Sequence, residues 1–162
     1  MYYSYIETPI GQLTLFGNDK GLTGINFPSG KNQIIPDIHY QKNEQKLAKA
    51  AQQLDEYFSG KRKEFTIPLD INGSDFQKTV WEALRSIPYG QTMSYGDIAK
   101  MIGRPTASRA VGMANGRNQI PIIIPCHRVI GADKSLTGFA GGLETKKILL
   151  LLEKSAYIIF KS

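Results

Sequence analysis

Apolar positions change period along this chain. In the first forty residues they come in short stretches cut by turn residues. In GQLTLFGND, Leu13 and Leu15 alternate with polar neighbours, and GLTGINF resumes after Asn18-Asp19-Lys20-Gly21, which predicts strand, turn, strand. From Asn43 to Phe58 the period lengthens: Leu47, Ala51, Leu54 and Phe58 recur at helical spacing, and Gly60 supplies a stop. KEFTIPLD predicts a further strand, with Pro68 placing it at an edge or end. These elements predict a small α/β lobe over residues 1–73 with no visible catalytic grouping.

A helical pattern takes over at NGSDFQKTVWEALRSIPYG. Ser74 with Gln77 makes a capping box, Phe76, Val80, Trp81 and Leu84 form an apolar stripe, and the helix should stop before Pro88. A second box, Ser94 to Asp97, opens a helix carrying Ile98 and Ile102 and closed by Gly103. A third stretch, ASRAVGMANG, ends at Gly116. Two short helices joined by a tight turn read as a helix-turn-helix, a weak signal by itself. The segment NQIPIIIPCHRV reads as extended, because a proline disfavours helix in the residue before it. ILLLLE reads as a buried helix. Residues 74–162 are thus expected to form a second, mainly helical unit.

Composition narrows the class. The chain has 162 residues, 41% of them hydrophobic, and one cysteine, which excludes an internal disulfide and a CxxC redox pair. With only His39 and His127 beside that cysteine, a zinc site of cysteines and histidines is not expected either. No apolar run reaches the length of a membrane span and the N-terminus lacks a signal-peptide pattern, so a cytoplasmic protein without a structural metal is expected. The net charge of +6 is unevenly placed. Residues 1–74 hold 8 Lys/Arg and 8 Asp/Glu, whereas residues 75–162 hold 12 and 6. A basic second half suits a polyanion such as nucleic acid, although many basic proteins bind none.

The candidate chemistry centres on IIIPCHRVIG. Free cysteine is usually a buried, inert hydrophobe; as a nucleophile, Cys126 would need a base and an environment that favours thiolate, such as a cation or a helix N-terminus. In an extended strand His127 would point away from the sulfur. Either a tight turn begins at Cys126 or a water bridges thiol and imidazole. The imidazole needs an acceptor on its other nitrogen, and the second half offers Asp75, Glu82, Asp97, Asp133, Glu144 and Glu153. Glu153 ends the apolar run, where a buried helix would carry an acid inward. On these residues alone three readings stay open: an alkyl-accepting thiol, a cysteine hydrolase, and a helix-turn-helix regulator with a structural cysteine.

IPCHRV resembles the active-site signature of the O6-alkylguanine-DNA alkyltransferases, and SYGDIA, RPTASRAVGMANGRNQIPIIIPCHRVI, TGFAGGLETKK and LLLLE stand in that family's order and intervals. The resemblance covers residues 74–162. It implies an α/β N-terminal lobe (a small sheet plus a helix) followed by a mainly helical C-terminal domain with a winged helix-turn-helix. It further implies a single-use DNA repair protein without cofactor or metal, and a monomer able to cluster on its partner. That partner is double-stranded DNA containing O6-alkylguanine or O4-alkylthymine.

By the same resemblance Cys126 is the alkyl acceptor, His127 its base through a water, Glu153 the group orienting His127, and Asn118 the tie between helix-turn-helix and active-site loop. Tyr95 donates to the flipped base and lies at the DNA. Arg109 fills the space that base leaves, on a helix whose small residues Ala107, Ala110 and Ala114 meet the minor groove, about 6 Å wide. Val129, Phe139, Ala140, Gly141 and Lys146 form the base pocket. Ala140 replaces a serine found in some members, so one hydroxyl contact is lost while a backbone amide remains.

Overall fold

The computed structural model describes residues 1–153; the end of the expected second unit, residues 154–162, lies outside the described residues. Strands β1 (Tyr2–Thr8), β2 (Gly11–Asn18) and β3 (Gly21–Asn26) form an antiparallel meander, and the short β4 (Gln41–Lys42) adds in parallel to β1, giving the order β3-β2-β1-β4. The alternation read from Leu13 and Leu15 holds, for both are wholly buried. The turn between β2 and β3 is closed by Asn18, whose side-chain oxygen accepts from the amides of Lys20 and Gly21, as short polar side chains do in turns.

Helix α1 (Ala48–Phe58) begins five residues later than its period predicts. The intervening residues are held by other bonds: the Asn43 amide donates to Tyr3 O and the Asn43 side chain accepts from the Lys46 amide. The buried face is also rotated by one position. Leu47, Ala50, Leu54 and Tyr57 are buried, while Ala51 and Phe58 are only half-buried. Gly60, with φ of 76°, ends the helix in the left-handed region that glycine tolerates.

KEFTIPLD does not form the expected strand. It touches the sheet through an isolated bridge, with Leu22 N donating to Pro68 O and Asp70 N to Leu22 O. Pro68 has no amide hydrogen with which to extend a ladder.

Both capping boxes are present. Ser74 and Gln77 cap α2 (Asp75–Arg85), and Ser94 and Asp97 cap α3 (Tyr95–Met101). Helix α4 (Ser108–Gly116) completes the helix-turn-helix, and Trp81 of α2 donates from Nε1 to Ala114 O at 2.8 Å, fixing α4 against the core. The short strands β5 (Met93–Ser94) and β6 (Val129–Ile130) pair in parallel, and α5 (Leu143–Leu152) closes the described chain. The β5–β6 pair sets Tyr95, the first residue of α3, beside the exit of the cysteine segment. The architecture is that of a small sheet and helix followed by a helical unit with a helix-turn-helix, as expected. One continuous buried cluster joins Leu13 and Leu54 to Val80, Trp81, Cys126 and Leu149. Truncating a side chain such as Trp81 to alanine in such a core costs about 3–5 kcal/mol.

Candidate active site

The segment before Cys126 is not extended. Residues 120–124 close a turn in which Ile124 N donates to Ile120 O, and Ile122 adopts φ of 74°, a strained conformation for a β-branched residue. Asn118 brackets that turn, accepting from the Ile120 amide at 3.0 Å and donating to Ile124 O at 2.8 Å. A single 3-10 turn then runs over Cys126–Arg128. Of the two expected geometries at Cys126, the tight turn is therefore present.

Cys126 is buried, and burial pushes its thiol above the ordinary range. The Asn118 side chain, the Lys146 ammonium and the amides of Cys126 and His127 pull the other way without reversing it. The environment thus differs from the expected thiolate-favouring one, because desolvation by apolar neighbours outweighs one nearby cation. Ionising this thiol requires a base.

His127 stands next to it with a wholly buried side chain. Nε2 lies 2.7 Å from Glu153 Oε2, and Nδ1 has no hydrogen-bond partner among the described residues. Burial lowers the imidazole pKa and the cations Arg128 and Lys146 add to this, while Glu153 opposes them. A neutral ring facing a carboxylate through Nε2 carries its proton there, which leaves the Nδ1 lone pair free. Burial alone would raise the Glu153 carboxyl, but His127 and Arg128 together hold it well below the usual carboxylate range. Arg128 grips Glu153 with two bonds, Nε to Oε1 at 2.8 Å and Nη2 to Oε2 at 3.0 Å, and its Nη1 donates to Ile87 O. Such bidentate pairing fixes a carboxylate in direction as well as charge.

On the other side of the cysteine, Lys146 is wholly buried and donates from Nζ to Val129 O at 2.5 Å and to Thr137 O at 3.1 Å. Burial lowers its pKa to about 8 against the pull of Cys126. Tyr95 is half-buried, with its hydroxyl 2.8 Å from Thr137 Oγ1, and burial raises its pKa. Phe139, Ala140 and Gly141 lean on the N-terminal half: the Phe139 ring lies 5.5 Å from that of Phe27, and Ala140 O accepts from the Lys31 amide. A Cβ on Gly30 would fall 2.1 Å from Ala140 O, so that close approach needs glycine.

Helix α4 carries Arg109 and Ala110 exposed and Ala107 half-buried. Ala114 departs from the expected DNA-facing set. It is 3% exposed with its carbonyl under Trp81, because it shares the inward face of α4 with Val111 and Asn115. Residues the sequence reading did not assign also belong here: Arg128, Thr137, Tyr57, and Asn115, whose side chain donates to Cys126 O at 3.4 Å. Adjacency to His127 was a usable signal for Arg128; Tyr57 had none, being remote in sequence. Among the described residues no three His, Cys, Asp or Glu side chains cluster as a metal cage.

The site therefore joins a buried thiol to a neutral, carboxylate-oriented histidine behind a helix-turn-helix. Residues 75–155 match the family described as 6-O-methylguanine DNA methyltransferase, DNA binding domain, and residues 1–71 its ribonuclease-like domain. The chain belongs to this methyltransferase family. It is 53% identical to the methylated-DNA–protein-cysteine methyltransferase of Methanosarcina acetivorans, over 96% of this chain and 99% of that one. With the constitutive enzyme of that name from Bacillus subtilis it shares 47% identity over 96% of this chain and 97% of the other. In structure it is similar to Mycobacterium tuberculosis OGT in complex with DNA, with a TM-score of 0.89, 48% identity, and 96% of this chain and 94% of that chain covered. Against a Methanococcus jannaschii O6-methylguanine DNA methyltransferase the TM-score is 0.68 at 31% identity, over 93% of each chain. Family membership thus spans both halves of the chain, sheet and helix-turn-helix alike.

Proposed function

We propose that this protein repairs DNA by taking the alkyl group of O6-alkylguanine, and of O4-alkylthymine, onto its own Cys126, once and irreversibly. The observation that carries the reading is the unpartnered Nδ1 of His127 on a ring whose Nε2 is bound to Glu153, beside the chain's only cysteine. A buried polar atom without a partner costs free energy unless it is used. Here it is a lone pair available to a water that takes the thiol proton.

The reaction balances without cofactor. The thiol proton passes through that water to His127, and the thiolate attacks the alkyl carbon. The carbon–O6 bond breaks as the carbon–sulfur bond forms, the guanine anion takes a proton from Tyr95, and the proton held on His127 returns to the tyrosinate through water. The products are a thioether and an unmodified guanine. Donors aimed at the oxygen where charge develops are worth most in a buried site. The base must leave the stack to reach Cys126, and exposed Arg109 on α4 occupies the space it vacates.

In this reading residues 74–162 bind DNA and carry the chemistry, and residues 1–73 support them. Val129, Phe139, Ala140, Gly141 and Lys146 wall the base. Asn118 holds the loop between helix-turn-helix and thiol. A reduced thiol is a condition of the chemistry, which fits a cytoplasmic protein, and a single chain carries every group, which fits a monomer on double-stranded DNA. Incubation with a duplex bearing one O6-methylguanine, followed by mass spectrometry of the digested protein, tests it. One added methyl on the peptide containing Cys126 is expected; an unmodified peptide, with the lesion intact, overturns the reading.

A further inference from the structure

Among the described residues Glu153 receives five donors, and one of them comes from the N-terminal half. Oε1 accepts from Arg128 Nε at 2.8 Å and from the Gly90 amide at 3.3 Å. Oε2 faces His127 Nε2 at 2.7 Å, Arg128 Nη2 at 3.0 Å and the Tyr57 hydroxyl at 2.5 Å. A carboxylate offers about four lone-pair sites, so Glu153 is saturated, and Tyr57 competes with His127 for the same oxygen. We propose that Tyr57 is a positioning residue for alkyl transfer, through which α1 of the N-terminal half sets the strength and direction of the Glu153–His127 contact. The inference rests on the alkyl-transfer reading above.

The Tyr57 ring is wholly buried and held by edge contacts with Phe58 and Tyr89 and a tilted contact with Phe65, at centroid distances of 5.2, 6.1 and 5.6 Å. Its direction is therefore fixed by packing that does not involve the hydroxyl. Burial first, and then the Glu153 charge, raise its pKa well above the ordinary 10.0, so it remains a donor throughout the working pH range. A hydroxyl donating to Oε2 withdraws charge from the oxygen that stabilises an imidazolium. The groups acting on His127 are Glu153, Arg128 and Lys146; those around Glu153 are His127, Arg128, Tyr57 and Tyr89. Among the described residues, only Tyr57 adjusts this set from outside residues 74–153 while bonding directly to the carboxylate.

Tyr57→Phe keeps the ring and deletes the hydroxyl. Single-turnover transfer above the acid limb should slow about tenfold, because Oε2 loses the fixed donor that aims it at His127, the order set by losing one hydrogen bond to a charged group. The loss should be equal on alkylated duplex and on the free alkylated base, since DNA contacts are untouched. The acid limb of the rate should move to higher pH, because Glu153 without its competing donor holds a proton on His127 more strongly. In a Glu153→Gln background the same substitution should add little, as expected of coupled neighbours. Rates are compared well below the unfolding temperature of each variant. Absence of transfer by the unaltered protein would reject the alkyl-transfer reading itself. Normal transfer by the unaltered protein with an unchanged rate in Tyr57→Phe, or a slower rate with an unmoved pH profile, would reject the role given to Tyr57.

Discussion

His127 Nε2 and Glu153 Oε2 lie 2.7 Å apart with both side chains wholly buried, and this contact decides which nitrogen of the ring can act as a base. The carboxylate fixes the proton on Nε2, so the only basic site is Nδ1.

The pH dependence of transfer follows from the direction of the His127 shift. Burial places its folded pKa below the ordinary 6.5. A base works while unprotonated, so a lowered pKa extends the active range downward. The single-turnover rate should therefore hold as pH falls from about 7 through 6.5 and decline only below it, followed down to about pH 5, a range that lies below the Lys146 pKa of about 8. A limb centred at or above 6.5 would show that the imidazole is not held neutral by burial.

Glu153→Gln tests the same contact through stability. The folded carboxyl lies below its ordinary 4.5, so below that value the unfolded chain binds more protons and stability rises with pH. The contribution is fully present above 4.5 and is lost as pH falls through the folded value. Glutamine removes this dependence and leaves Arg128 buried without its counter-charge, a loss of about 3–5 kcal/mol in buried pairs. Denaturant unfolding at neutral pH should show that loss, and the gap between variant and parent should narrow in acid. A constant gap across pH would mean that Glu153 is not the ionised partner of Arg128.

The parts of this site that the sequence made legible are those written locally. The capping boxes at Ser74 and Ser94 and the alternation of Leu13 and Leu15 each depend on residues within one turn or one strand. Cys126 and His127 were singled out by adjacency; Glu153, one of six acids in the second half, ends an apolar run, and the family resemblance gave all three their roles. What was not legible depends on chain remote in sequence. Tyr57 reaches Glu153 across 96 positions. The turn that puts Ile122 at positive φ is stabilised by Asn118, where two prolines argued for extended chain. Ala114 looked like one of several equivalent alanines until Trp81 showed which side of α4 is inward.

That difference between alanines can be measured. Ala110 is exposed and Ala114 buried on the same helix. Ala114→Leu overfills the buried face that α4 turns inward and should cost about 1–3 kcal/mol in unfolding free energy. Ala110→Leu should change stability by less than about 0.5 kcal/mol while weakening duplex binding, since a larger side chain must enter the groove. Equal stability losses at the two positions would contradict the orientation of α4.

Among the described residues Lys146 is the cation that acts on Cys126, and its pKa of about 8 leaves it charged at neutral pH. Lys146→Met removes that charge with little change of shape. The thiol, already raised by burial, should rise further, and single-turnover transfer should slow on both duplex and free base with duplex affinity retained. Thiol reactivity against pH, followed with a small alkylating reagent, reads the shift directly. An unchanged thiol profile would confine Lys146 to its bonds with Val129 and Thr137.

Arg109 is the clearest test of base flipping. It is exposed on α4, and its role in the proposed reaction lies wholly in holding the duplex open. Arg109→Ala should leave stability and the reaction with free alkylated base unaltered and impair repair of duplex severely. Flipping costs a few kcal/mol of stacking and pairing, and a residue that offsets even half of this changes a rate by about tenfold. The same variant should lose less on a lesion opposite a mismatched base, because that base is already poorly stacked. Transfer rates on free base, matched duplex and mismatched duplex, measured side by side, give the ordering. Equal losses on all three substrates would place Arg109 in folding or chemistry instead of in the opened duplex.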